Sequence, residues 1–202
     1  ALPEVRRHPL DLPRLAVYHT WIDTQDAGWV RYTLDQGKIP YSYINDEDVK
    51  RGGLRGRFDL ILFPDTYGSL TDMIHGLDPK YGPLAYTKTA QYPSHGIPDA
   101  SPDITGGMGF QGLSHIRQFV QEGGVFACLG SSGRLFVDGG LVRDVRSASA
   151  GSTPGSFVRT KILRPQHPIT YGYETLSTAF RGNQALWDVD DEDRGWVVMQ
   201  FG

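Results

Sequence analysis

The sequence predicts a three-layer α/β domain built on a mainly parallel, open sheet. Short apolar runs of strand length occur at residues 15–19, 41–44, 58–63 and 125–129, and segments with helical periodicity lie between them. Strands that alternate with helices indicate βαβ units, whose right-handed crossovers bring the carboxyl ends of the strands to one edge. We therefore predict the strand order 2-1-3-4 with helices on both faces, and a functional site at that edge.

The helical segments are predicted from spacing and from capping residues. Residues 25–36 and 112–122 carry apolar side chains at helical spacing, and residues 46–54 form a short helix with Asp46 as its N-cap. Residues 64–111 are rich in Gly, Pro and Tyr and are interpreted as a long loop insertion, which in a compact domain is usually functional.

The chain has 202 residues, enough for one domain with its own core. Residues 1–13 are polar and rich in proline, so we interpret them as a linker or arm, and residues 14–202 as the domain. Two alternating segments, 157–163 and 196–201, are predicted as further strands.

Composition and charge exclude several classes of function. The net charge of −3 provides no broad basic field for nucleic acid, and the only cysteine cannot form a disulfide within the chain. No apolar run approaches the roughly 20 residues of a membrane span, and no signal peptide begins the chain. The acidic run at 188–193 is interpreted as a solvated loop, with calcium binding as the alternative.

Several short motifs occur in an order typical of a known family. They are Tyr-His-Thr-Trp-Ile-Asp at 18–23, Gly-Trp at 28–29, Arg-Phe-Asp-Leu-Ile-Leu-Phe-Pro-Asp at 57–65, Gly-Gly at 106–107, Phe-Val-Gln-Glu-Gly-Gly at 119–124, Pro-Gly-Ser at 154–156 and His-Pro-Ile-Thr-Tyr-Gly at 167–172. With them the chain resembles the class I glutamine amidotransferase-like fold. More specifically, it resembles the domain found C-terminal to bacterial zinc carboxypeptidase-like (M14 family) proteins.

The resemblance implies a flavodoxin-like strand order and an accessory role in a larger, exported, peptidase-like protein. The implied partner is an upstream peptidase-like domain or a second copy of the chain. Carboxypeptidase activity is not carried over, because none of the six histidines is followed by Glu in a His-x-x-Glu zinc motif. The family's domain usually continues with a final strand and helix, so the resemblance also implies a truncated C-terminus.

The residues at the fourth strand fit a catalytic nucleophile badly. Active members place a cysteine in a crowded strand-to-helix turn with small residues two positions before and after it, as in the related hydrolase turn. Cys128 has Phe126 before it, and strand periodicity points the thiol into the core. Ser131 and Ser132 each satisfy half of the rule, and we expect either hydroxyl to cap the next helical turn.

A nucleophile also needs a base held by a third group. The amidotransferase His-x-Glu pair is absent, because no histidine here has Glu two residues later. The alternative is a cluster of Ser131, His19 and Asp65, which the predicted topology brings to the same sheet edge.

We therefore predict a non-catalytic accessory or binding domain. The binding candidates at the sheet edge are Trp21, Thr66, Tyr67 and Gly130. The alternatives are a small hydrolase of esters, lactones or amides, and a sugar- or peptide-binding module that uses the tyrosines of the long loop. No cofactor or metal is predicted, although metal ligation by His75, Asp78 and His95 remains an alternative.

Overall fold

The computed structural model describes residues 11–149, 151–153, 155–173 and 175–202. Most of the predicted arm at 1–13, and Pro154 among the motif residues, lie outside this range. Residues 11–14 are exposed and have no regular structure.

A four-stranded parallel sheet forms the centre of the domain. Its strands are β1 (Leu15–Tyr18), β2 (Ser42–Ile44), β3 (Leu60–Phe63) and β4 (Val125–Cys128). They lie in the order β2-β1-β3-β4, and every neighbouring pair is parallel. This confirms the predicted α/β class and strand order, and it brings the residues that follow each strand to one edge.

One face of this sheet packs into the main core, and the other face is covered at β1. On one face, Ala16 and Tyr18 of β1 join Ile61 and Phe63 of β3 in the main apolar core. Val17 points to the other face and is also fully buried. Strands that are apolar on both faces are typical of a parallel sheet between two helical layers.

Six α-helices surround the sheet in the described part of the chain. They are α1 (Gln25–Gln36), α2 (Asp46–Arg51), α3 (Leu54–Arg57), α4 (Leu70–His75), α5 (Gly109–Gln121) and α6 (Arg134–Val137). Helix α5 packs against α2, α3, α4 and β4, whereas α1 packs against β1. The buried stripe of α5 includes Ile116 and Phe119, at the helical spacing seen in the sequence.

The N-cap of α2 is Asn45, so the prediction of Asp46 is wrong by one residue. The Asn45 side chain accepts hydrogen bonds from the backbone amides of Glu47 and Asp48, at 3.0 and 3.2 Å. Asp46 instead begins the helix and is buried. Both residue types make good caps, and the sequence does not determine which one leaves the helix. The predicted helix at 46–54 also ends early, because Gly52 with φ of 77° ends α2.

The predicted loop at 64–111 contains regular structure. Helix α4 begins at a capping box, in which Ser69 and Asp72 bond each other's backbone amides. A 3-10 turn follows at Pro79–Tyr81, and α5 begins at Gly109, before the predicted start at 112.

The C-terminal part of the described chain forms antiparallel sheets that the sequence prediction largely missed. Its strands are β5 (Val145–Ala148), β6 (Ser156–Ile162), β7 (Leu176–Arg181), β8 (Leu186–Val189) and β9 (Met199–Phe201). One sheet pairs β5 with β8, and the other has the order β7-β6-β9. The predicted strand at 196–201 is shorter than expected, because Trp196 belongs to the 3-10 helix Asp191–Trp196.

The acidic run at 188–193 is partly paired with arginines. Arg146 contacts Asp188 at 2.9 Å and also Asp190, and Arg194 contacts Asp191 at 2.8 Å. None of the described helices has both the length and the apolar character needed to cross a membrane.

Candidate functional site

The turn after β4 has a glycine where a nucleophile would be expected. In hydrolases with a nucleophile elbow, the reactive side chain stands on the strained residue of the strand-to-helix turn. Here the residue with positive φ is Gly130, at 57°. A Cβ atom at this position would lie 2.6 Å from the Asp65 carboxyl carbon, a distance that real Cβ atoms essentially never show. The space for a nucleophile's side chain is therefore filled by Asp65.

Asp65 also occupies a backbone donor beside this turn. The Ser131 amide donates a hydrogen bond to Asp65 Oδ1 at 2.7 Å. The amide of the residue after the nucleophile is one of the two donors of the oxyanion hole in elbow hydrolases. In this chain that amide is bound to an internal carboxylate, so it does not face a substrate oxygen.

The two serine hydroxyls are engaged in contacts within the protein. The Ser132 hydroxyl is fully buried and lies 2.7 Å from the Leu129 carbonyl oxygen and 3.1 Å from that of Phe63. The Ser131 hydroxyl accepts a hydrogen bond from the Ala185 amide at 3.2 Å. The prediction that either hydroxyl caps the following helix is wrong, because the N-cap of α6 is Gly133 and has no side-chain cap.

Cys128 lies at the end of β4 and is half-buried against the core. Burial raises the pKa of its thiol to about 12, although a hydrogen bond from Ser132 acts in the opposite direction. A thiol with so high a pKa holds almost no thiolate at neutral pH, and the thiolate is the reactive form. Phe126, two residues earlier, packs against Phe63 and Phe136.

His19 is buried at the end of β1 and is paired with Asp99. Its Nε2 lies 3.0 Å from Asp99 Oδ2, and its Nδ1 lies 3.2 Å from the Thr20 carbonyl oxygen. The Asn45 amide also donates to Asp99 Oδ2, at 2.8 Å. Both ring nitrogens of His19 face oxygen acceptors, and a neutral imidazole can donate to only one of them. The structure brings Asp65 and Ser131 together, as the alternative cluster required, but it gives His19 a different carboxylate partner.

Asp99 is a candidate site residue that the sequence prediction missed. Burial raises its pKa, but hydrogen bonds from His19, Asn45 and the Ala100 amide lower it by more, so the net pKa is below its ordinary value. Asp99 lies 80 positions after His19 in a Gly- and Pro-rich segment. No local pattern connects the two residues, and only the folded loop brings them together.

The predicted binding residues differ in their exposure. Trp21 is half-buried, and its indole N–H donates to Glu47 Oε2 at 3.3 Å. Thr66 is almost fully buried, whereas Tyr67 is 69% exposed and its amide donates to Asp23. Gly130 lines a cleft beside the turn.

The aromatic residues of the long loop divide into two groups. Tyr86 and Tyr92 stack on His95 at ring centroid distances of 4.7 Å, and Tyr86 also lies 5.8 Å from Trp21. These rings hold the loop against the sheet edge. Tyr81 belongs to the second group, because 65% of it is exposed, and the Lys80 ammonium lies 5.0 Å from its ring centroid.

No group of three or more potential metal ligands comes together in the described ranges. Of the alternative ligands, His75 meets Phe110 edge to face, Asp78 accepts a hydrogen bond from the Lys80 amide, and His95 stacks between two tyrosines.

The chain shares its fold with solved structures of amidotransferase-like proteins. No protein-family model matches the chain, and no curated protein sequence matches it. A ThuA-like protein from Bacteroides uniformis superposes with a TM-score of 0.56 at 11% identity, covering 98% of this chain and 72% of that one. A glutamine amidotransferase from Thermotoga maritima gives 0.52 at 9% identity, covering 88% of this chain and 63% of that one. At these identities the likeness establishes an amidotransferase-like fold and no activity.

Proposed function

We propose that this chain is a non-catalytic, amidotransferase-like binding domain that acts as an accessory to a peptidase-like protein. The proposal that the domain is non-catalytic rests on the turn after β4. Gly130 supplies no nucleophile there, and Asp65 binds the Ser131 amide that would otherwise stabilise an oxyanion. The accessory role is inferred from the resemblance to domains attached to M14 family proteins.

The alternative is a small hydrolase of esters, lactones or amides. The buried pair of His19 and Asp99 favours it, because a histidine oriented by a carboxylate is the usual base of a nucleophilic triad. A general base must reach the proton it removes, at about 2.6–3.2 Å. The ring nitrogens of His19 contact Asp99 and Thr20, and among the described residues neither nitrogen contacts Ser131, Ser132 or Cys128, so the pair supports the binding domain better than the hydrolase.

The test is a turnover assay on the purified chain. Glutamine, a lactone series and activated esters are offered to the protein and to Ser131→Ala, Ser132→Ala, Cys128→Ala and His19→Ala variants. We expect no glutamine hydrolysis, and at most a weak ester hydrolysis that none of the variants changes. If the protein shows robust turnover and any one of these substitutions abolishes it, the chain is a hydrolase and that residue is responsible for the activity.

A further inference from the structure

A cleft of about 1420 Å³ separates the turn after β4 from the antiparallel sheets. Asp26, Asp65 and Gly130 line it on the side of the parallel sheet, and Arg181, Trp187 and Trp196 on the other side. The cleft lies at the carboxyl ends of the parallel strands, where open α/β sheets bind their ligands.

Arg181, at the end of β7, carries a buried charge that no acidic residue of the described ranges neutralises. Only 9% of the residue is exposed. In the part of the chain that the structure describes, its guanidinium donates to the carbonyl oxygens of Gly151 and Gln184 and to the Thr153 hydroxyl, and its Nε has no partner. All of these acceptors are uncharged. A buried cation without a counter-charge is costly, and an anionic ligand group would supply that charge.

The opposite wall carries a complementary feature. Asp26 and Asp65 are both half-buried and line the same cleft. Burial raises the pKa of Asp26, and repulsion from Asp65 and Asp23 raises it further. Neither Asp26 nor Asp65 forms an ion pair with a described lysine or arginine. A cationic ligand group would relieve the repulsion.

The two charged walls are separated by one short segment. Arg181 contacts the Gln184 carbonyl oxygen at 3.5 Å, and the next residue, Ala185, donates to the Ser131 hydroxyl. The Ser131 amide then donates to Asp65. The Arg181 guanidinium and the carboxylates of Asp26 and Asp65 therefore line the same cleft, with residues 184–185 between them.

We propose that the cleft binds a short peptide with free termini, with its carboxylate at Arg181 and its ammonium group at Asp26 and Asp65. This assignment rests on the proposed binding function. The cleft is far larger than a single amino acid, and Trp187 and Trp196 provide apolar surface for side chains. Strands β8 and β9 line it too, and each pairs with one neighbour only among the described strands. Their free edges can bond an extended main chain.

The test compares three forms of one tripeptide, Ala-Phe-Ala, by isothermal titration calorimetry. The forms have free termini, an acetylated N-terminus or an amidated C-terminus. We expect each blocked form to bind the unmodified protein about tenfold or more weakly, because each loses one charged hydrogen-bonded contact. In the Arg181→Gln variant, the peptide with the amidated C-terminus should bind as well as the peptide with free termini. In the Asp26→Asn variant, the peptide with the acetylated N-terminus should bind as well as the peptide with free termini. Arg159→Gln, on an exposed position of β6, is the matched control and should keep both preferences.

Equal binding of all three forms by the unmodified protein would overturn the proposal, and so would the absence of binding by any form. Neither conclusion depends on how the Arg181 variant folds. Turnover of glutamine or an ester would refute the proposed function and leave the peptide preference intact. No peptide binding together with no turnover would refute the cleft assignment and leave the proposed non-catalytic role intact.

Discussion

Gly130 is the residue that leaves the turn after β4 without a nucleophile. Its positive φ and the close approach of Asp65 are separate constraints, and each disfavours a side chain. The first is a backbone cost of roughly 1–2 kcal/mol for an L-residue in the left-handed region. The second is overpacking against a carboxylate that is itself fixed by the Ser131 amide.

We expect Gly130→Ala to destabilise the protein by about 2–4 kcal/mol, the sum of backbone strain and overpacking. Gly140→Ala is the matched control, because Gly140 also has positive φ, at 67°, and nothing lies within 4 Å of an added Cβ. Gly140→Ala should lower the free energy of unfolding by the backbone cost alone. The measurement is the free energy of unfolding in denaturant. In a double-mutant cycle, Asp65→Ala should remove most of the excess cost at Gly130. Equal costs at the two glycines would contradict the packing of Asp65 in the turn.

Asp46 is a buried acid whose protonation depends on the fold. Its pKa is raised to about 6, chiefly by burial, although the hydrogen bond from Tyr18 lowers it. The Tyr18 hydroxyl lies 2.6 Å from Asp46 Oδ1. Since the native state holds this proton more tightly than the unfolded chain, whose pKa is about 3.9, the protein should lose stability as pH rises from about 4 to about 6.

Asp46→Asn removes this titration while keeping an oxygen acceptor for Tyr18. We expect the variant to gain up to about 3 kcal/mol relative to the original protein between pH 4 and pH 8, because two pKa units correspond to that energy. The measurement is the unfolding free energy of both proteins across this range. Tyr18→Phe removes the bond that lowers the pKa of Asp46, so the loss of stability should continue to higher pH. A stability difference between the Asp46→Asn variant and the original protein that stays constant with pH would contradict the assignment.

At the scale of the element, the segment that follows α4 is held to the sheet edge by a few polar contacts. Asp99 binds His19 and Asn45, and the Ser101 hydroxyl lies 2.8 Å from the Asp103 carbonyl oxygen and 3.3 Å from Glu47 Oε1. These contacts join a segment without long helices or strands to the ends of β1 and β2. They explain why a Gly- and Pro-rich stretch adopts a defined path.

We expect Asp99→Asn to loosen this segment and to destabilise the protein by about 1–3 kcal/mol, because a hydrogen-bonded charge is lost. Since the pKa of Asp99 is lowered in the fold, its contribution is present above about pH 4 and is lost as pH falls further. The measurement is amide hydrogen exchange at pH 7, which should become faster in residues 86–101. Asp78→Asn, which removes an exposed carboxylate paired with Lys80 and keeps an oxygen for the Lys80 amide, is the matched control and should leave that region unchanged. Unchanged exchange in Asp99→Asn would show that Asp99 does not anchor the segment.

The type of an element was predictable from the sequence where the residues of that element are all apolar. The runs that became β1, β3 and β4 are apolar over their whole length, so their type was clear without knowledge of their neighbours. β5 and β8 have short mixed sequences, Val-Arg-Ser-Ala and Leu-Trp-Asp-Val, whose strand character depends on their pairing with each other. Asp99 could not be predicted for a similar reason, because its partners lie 80 and 54 positions away.

At the scale of the whole molecule, the fold places a large cleft beside a turn that lacks a nucleophile. The parallel sheet supplies one wall with Asp65 and Gly130, and the antiparallel strands supply the other. The first wall was predicted from the strand order, but the second was not, because it depends on long-range antiparallel pairing. The amidotransferase-like fold therefore supplies a site for a ligand, and we propose binding without acyl transfer.

The most direct test of this central claim is the intact mass of the native protein after exposure to a fluorophosphonate and to iodoacetamide. An activated serine or cysteine reacts with one of these reagents at one equivalent per chain. We expect no adduct at Ser131 or Ser132 and slow alkylation of Cys128, whose thiol has its pKa raised to about 12 by burial. Unfolding in denaturant should make Cys128 react fully, which is the positive control. Rapid, stoichiometric modification of any of the three residues in the native protein would contradict the proposed non-catalytic role.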